Sequence, residues 1–125
     1  MHRGFLKTGT WLAAITVLLG AFGAHGLKKI VVADNLAVFQ TGVTYQFLHS
    51  IALIITSVIF KEFPNKRVIW AGRFFITGII LFSGSLYTIV LLPAFSILGF
   101  ITPLGGLFFV LGWLLLFFSF QKKVQ

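Results

Sequence analysis

Phe39–Ser50, FQTGVTYQFLHS, decides how the chain is read. It sets Gln40, Thr41, Thr44, Tyr45, Gln46, His49 and Ser50 at the head of an apolar run that continues to Phe60. Polar side chains at that density are costly where the solvent is lipid, and they call for other helices to shelter them. Around them, the chain of 125 residues is 58% hydrophobic and 10% charged, with a mean hydropathy of +1.05. Ten Lys and Arg with two acids cannot cover the surface of a soluble protein this small. Lipid must solvate most of it. The length fits a single domain.

A membrane-spanning helix needs about 20 mostly apolar residues. Four runs qualify, at about residues 8–27, 42–60, 68–91 and 101–120, which predicts an all-α, integral membrane four-helix bundle. The first follows Arg3 and Lys7 and ends in Ala24-His25-Gly26, which has the small-x-small form of a signal-peptide cleavage site. The run is long for a signal peptide, so it is expected to stay as a span, and mass spectrometry of the N-terminus checks this. Before the second span, Asp34 is placed to cap a helix. A helix from Asp34 to Phe60 would measure about 40 Å at about 1.5 Å per residue, against a hydrocarbon core of about 30 Å. Asp34–Thr41 is therefore expected to form a short interfacial helix or to bend in near Gly42. Leu36, Phe39, Val43 and Phe47 recur at helical spacing and mark one face.

Lys61–Arg67 (KEFPNKR) reads as a turn, and Pro64 disfavours helix in the residue before it. Trp70 is an interfacial anchor, and Arg73, a turn further in, is expected to snorkel toward headgroups. Leu92–Gly99 contains Pro93 and no charge, so it reads as a shallow loop. Small residues at Gly20, Gly23, Ala24, Gly42, Gly84, Gly105, Gly106 and Gly112 are candidate helix-packing positions, because close approach in lipid favours them.

The net charge of +8 does not point to nucleic acid, because the basic residues sit at the ends of apolar runs and form no stripe. Juxtamembrane placement against anionic lipid explains them better. Arg3, Lys7, Lys61, Lys66, Arg67, Lys122 and Lys123 share the side of the termini, and only Lys28 and Lys29 share the other. The positive-inside rule then predicts both termini in the cytoplasm and a plasma-membrane location. There is no Cys, which excludes disulfides, thiolate metal sites and cysteine nucleophiles.

With this topology His25, Gln40, Tyr45, Gln46, His49, Ser83, Ser85, Tyr87 and Thr102 are expected to form a buried polar cluster at one depth, in the outer half of the bundle. Tyr45 and Gln46 lie four and three residues before His49 and can share its face. His25 and His49 could ligate a metal, but two imidazoles without a carboxylate at that depth make a weak site. A proton or ion path is a second reading, although the inner half offers no obvious continuation of the polar groups. Ser83-Gly84-Ser85 lacks the flanking glycines and the strand–turn–helix setting of a nucleophile elbow. Gly105-Gly106 reads as contact surface and not as a phosphate loop. Neither a catalytic residue nor a cofactor is assigned.

Four motifs carry a resemblance: LGAFGAHGL at 19–27, QTG at 40–42 with Tyr45, Gln46 and His49, LFSGSLY at 81–87, and TPLGG at 102–106 running on to Gly112-Trp113. Together they resemble the domain of unknown function 423 family of small membrane proteins, which includes the transmembrane protein 256 group. The likeness spans about residues 8–120 with no departure at the motif positions. It implies a four-helix membrane protein and brings no established activity. The expected function is that of a non-enzymatic multi-pass protein in membrane-protein assembly, envelope maintenance or partner binding, as a homo-oligomer or with another membrane protein. The alternative is a small oligomeric transporter or channel.

Overall fold

The computed structural model describes residues 1–120, so Lys122 and Lys123, counted above for orientation, lie outside the described residues. Four helices are long and apolar enough to cross a membrane, and the described residues contain no strand. The first, α1, is Arg3–Ala24 and opens on His2, whose Nδ1 accepts the Phe5 N–H at 3.0 Å while its ring stacks on Phe5. His2 also ties this end to the second helix: its N–H donates to the Ser57 carbonyl, and its carbonyl accepts from Ser57 Oγ at 2.7 Å. A single 3-10 turn, Leu27–Lys29, leads out of α1.

The second helix, α2, runs unbroken from Ala33 to Glu62 over 30 residues. Two expectations change here. The stretch before the second span is neither a separate helix nor bent at Gly42, because Gly42 keeps its place in a continuous helix buried against α3. Asp34 is not the cap; the helix starts one residue earlier, after Val32, and Asp34 sits in its first turn, where a carboxylate suits the amide end of the helix. At about 1.5 Å per residue α2 is about 45 Å long, longer than the hydrocarbon core, so it must tilt or project from the membrane.

The third span, α3, is Lys66–Leu91. Asn65 caps it, with Oδ1 accepting from the Arg67 and Val68 amides at 3.0 and 3.3 Å. Midway, Ile79–Ser83 widens to a π-helical turn, closed by the Gly84 N–H donating to the Ile79 carbonyl. Leu92 ends the span, and Pro93–Phe100, expected as a loop, follows as largely exposed 3-10 turns. The last span, α4, is Ile101–Ser119, and Pro103 lies in its first turn.

The chain packs as two hairpins, α1 with α2 and α3 with α4, joined where α2 meets α3. An apolar core of Ala52, Val68, Ala71, Phe75, Ile79, Phe109 and Leu116 lies among α2, α3 and α4. A smaller one, of Leu27, Phe39 and Val90, sits at the opposite end. The face marked by Leu36, Phe39, Val43 and Phe47 is not the buried one throughout: Phe39 is buried, but Phe47 faces outward. The buried side of α2 instead carries Gly42, Gln46, His49, Ser50, Thr56 and Ser57 beside Phe39, Ala52 and Leu53. Lipid solvates apolar side chains as well as the protein interior does, so apolar spacing alone does not mark the inside.

Close approach explains most of the candidate glycines. A Cβ on Gly105 would run into the backbone of Leu81 and Phe82, and one on Gly112 would come within 2.7 Å of the Phe75 ring. At Gly42 it would meet Tyr87 at 2.7 Å, and at Gly23 the Phe39 ring at 3.2 Å. Gly20 and Gly106 make only ordinary contacts. Two positions are corrected. Gly84 has open space around its Cβ direction, and Ala24 is exposed because it lies about 100° around α1 from the buried Gly23. Gly9, Gly72 and Gly78 are tight positions that the motif reading did not single out; they meet α2, Phe5 and Phe109 respectively.

Candidate functional site

The polar groups converge along the inner side of α2. Gln46 is the hub. Its Nε2 donates to the Leu12 carbonyl of α1 at 3.0 Å, and its Oε1 accepts the Tyr87 hydroxyl of α3 at 2.7 Å. Tyr87 reaches it because long side chains lean toward their own helix N-terminus, which carries its ring past Gly42. One turn from Gln46, His49 joins α2 to α4. Its Nδ1 lies 2.8 Å from the Tyr45 carbonyl and its Nε2 lies 3.1 Å from Trp113 Nε1.

Those two partners assign the tautomer of His49. A carbonyl only accepts and an indole N–H only donates, so Nδ1 carries the proton and Nε2 is the acceptor. The ring is also sandwiched: it stacks on Phe109 at 3.6 Å between centroids and lies 5.6 Å from Phe75. Both nitrogens and a ring face are therefore committed. Tyr45 stacks beside His49 and against Phe82 and Phe109, but its side chain is 40% exposed and its hydroxyl is no part of the network.

The π turn sets the remaining members. Ser83 Oγ donates to the Gly42 carbonyl at 2.7 Å, which fastens α3 to α2. Ser85 and Thr102 share a hydroxyl–hydroxyl bond between α3 and the first turn of α4, and Ser85 also donates to the Phe82 carbonyl. Beside this pair runs a shallow open groove of about 250 Å³, lined by Ile80, Leu81, Gly84, Ser85, Thr88, Leu98 and Ile101.

Seven of the nine expected residues thus lie along this seam, six of them joined by side-chain hydrogen bonds and Tyr45 through its carbonyl and ring. Gln40 and His25 do not join. Gln40 points outward from α2, and His25 is exposed just after the last turn of α1. Gly23 of α1 packs on Phe39, which sets His25 about 15 Å along α2 from His49. The two imidazoles do not converge.

The expected single depth is also corrected. Gly42, Gln46 and His49 are spread over about 10 Å of α2, and Leu12 and Phe75, which contact Gln46 and His49, lie in the halves of α1 and α3 nearer Arg3 and Lys66. Beyond His49 the polar line continues with Ser50, Thr56 and Ser57, all fully buried, and reaches His2 through Ser57. The half of the bundle nearer His2 is therefore less apolar than the sequence suggests. Ser50 and Thr56 each donate to the carbonyl one turn back, at Gln46 and Ala52, a local bond that span hydropathy does not register. Trp113 is the partner the sequence reading missed. In the sequence Trp113 stands out only as part of a motif, yet an indole N–H within a span calls for an acceptor.

What fold and seam define is a four-helix integral membrane protein whose helices are cross-linked by internal polar bonds. A family profile described as "Protein of unknown function (DUF423)" matches residues 19–106, and the chain belongs to this family. It is 43% identical over 118 residues to a UPF0382 membrane protein of Staphylococcus aureus (strain bovine RF122 / ET3-1), covering 94% of this chain and 95% of that one. It is 41% identical over 113 residues to the UPF0382 membrane protein YwdK of Bacillus subtilis (strain 168), covering 90% and 91%. No solved structure matches. The resemblance read from the four motifs is thereby borne out, and with it a small membrane protein.

Proposed function

We propose that this is a non-enzymatic plasma-membrane protein, with both termini cytoplasmic, that acts by binding transmembrane helices, first those of a second copy, in envelope assembly or maintenance. One observation carries the reading: every buried side-chain nitrogen and oxygen among the described residues has a hydrogen-bond partner within the chain. A seam whose buried polar atoms are all paired within the chain supports a lock on the bundle. Binding then falls to the outer surface. On α2, Gln40, Thr41 and Thr44 face outward, and the two threonine hydroxyls donate to their own helix at Ala37 and Gln40. Gln40 keeps an amide with both a donor and an acceptor, which a twofold-related Gln40 complements.

The chain has no Cys, so single cysteines at Gln40, Thr44 and, as a control on the lipid face of α4, Leu107 report contact without background. Disulfide-linked dimers in native membranes at 40 and 44 but not at 107 are the expected result. Equal cross-linking at all three positions sinks the dimer.

The buried line from His49 through Ser50, Thr56 and Ser57 to His2 favours a second reading, a proton path. Against it, Leu53 is fully buried between Ser50 and Thr56, and the hydroxyls are committed to backbone carbonyls. Proton flux into liposomes that disappears in folded His49→Ala would decide for the path.

A further inference from the structure

The seam accounts for the buried polar groups, but not for the cations of α3. Lys66, Arg67, Trp70 and Arg73 are all exposed. At about 100° per residue they fall within an arc of about 120° on one side of the helix. Arg73 lies seven residues beyond Lys66, about 10 Å into an apolar span. A guanidinium at that depth is costly unless it finds a counter-charge or reaches the interface. No protein acid is on this face: the chain has two, Asp34 in the first turn of α2 and Glu62 in the last, before the turn that precedes α3.

What the protein supplies instead is orientation. The Arg73 guanidinium lies 4.8 Å over the Trp70 indole, which holds it on the same side as Lys66. Arg67 is fixed as well, since its Nη1 donates to the Phe118 carbonyl at the end of α4 at 2.8 Å, and a guanidinium has further N–H groups to offer. Three cations around one indole, graded in depth from the turn into the span, match a phosphate whose acyl chains enter the bilayer beside the helix. A soluble anion has no reason to reach the level of Arg73.

We propose that this face of α3 is a binding site for the phosphate of an anionic glycerophospholipid, with Arg73 and Lys66 as its main contacts and Arg67 at its edge. The site is independent of whether the chain pairs through Gln40.

The test is native mass spectrometry of the detergent-solubilised full chain, equilibrated with equimolar phosphatidylglycerol and phosphatidylcholine. Wild type is expected to retain phosphatidylglycerol preferentially, and Arg73→Gln or Lys66→Gln to lower that preference about fivefold each. Lys28→Gln with Lys29→Gln, at the opposite end, is expected to leave it unchanged. Arg73 and Lys66 are exposed, so the variants keep the core, and circular dichroism checks that they fold. Equal retention of the two lipids by wild type overturns the site. So does an undiminished preference in both α3 variants, or an equal loss in the Lys28/Lys29 variant. Displacement of the lipid by inorganic phosphate also overturns it, because that would mark a soluble-anion site.

Discussion

His49 shows how much one side chain can settle inside a membrane. Its two nitrogens are used once each, by a carbonyl and an indole, and its ring fills the space between Phe109 and Phe75. Nitrogen-15 spectra of the labelled protein should show a proton on Nδ1 and a bare Nε2; a proton on Nε2 would contradict the bond from Trp113. Gln46 likewise bonds through both its nitrogen and its oxygen. Gln46→Leu takes the acceptor from the Tyr87 hydroxyl and one donor from the Leu12 carbonyl, which keeps Thr16 Oγ1, and should cost about 1 kcal/mol of unfolding free energy in bicelles, in line with interhelical bonds in lipid. Gln46, His49 and Tyr87 were legible in the sequence as polar residues in need of partners. Which partners they take was not, because Leu12 and Tyr45 contribute backbone carbonyls, and every residue has one.

At the scale of the elements, the four spans could be read from apolar length alone, since bilayer thickness sets that length. Their inner faces could not. Packing in lipid selects small and polar contacts, so Phe47 turns outward while Ser50, Thr56 and Ser57 turn inward. The π turn in α3 left no mark in the sequence reading either. It is held between Gly42, whose carbonyl takes Ser83 Oγ, and Gly105, on which the Phe82 backbone rests. Two alanines separate close packing from mere smallness. Gly105→Ala forces α4 away from the π turn and should lower the melting temperature clearly. Gly84→Ala enters open space and should be neutral or stabilising by up to about 1 kcal/mol, from helix propensity. Equal effects of the two would refute the account of the interface. At the other end, Asn65→Ala should cost about 1 kcal/mol, because it removes the cap of α3 together with the Nδ2 bond to the Ser119 carbonyl of α4.

Taken whole, the molecule turns large apolar side chains outward, Trp11, Leu18, Ile97 and Phe117 among them, and buries Ser50, Thr56, Ser57 and Ser83. Stretch 39–50 contains both tendencies. Gln46, His49 and Ser50 bind the bundle together, whereas Gln40, Thr41 and Thr44 face outward and are where we look for a partner. His25 shows the limit of judging depth from the sequence: its number places it near a membrane surface, but only the packing of Gly23 on Phe39 fixes how far it lies from His49. The charge asymmetry belongs to this scale too. A cysteine at Lys61 should react with an impermeant thiol reagent only after cells are opened, and one at Lys28 in intact cells; the reverse pattern would invert the proposed orientation.

The central claim is that the seam is a lock, and a double-mutant cycle tests it most directly. Unfolding free energies are measured in bicelles for wild type, His49→Leu, Trp113→Phe and the double variant. The account predicts a coupling between His49 and Trp113 of about 1 kcal/mol, within the range of interhelical bonds in lipid. Additive effects, agreeing to within about 0.3 kcal/mol, would show that the bond does not hold α2 to α4 and would contradict it.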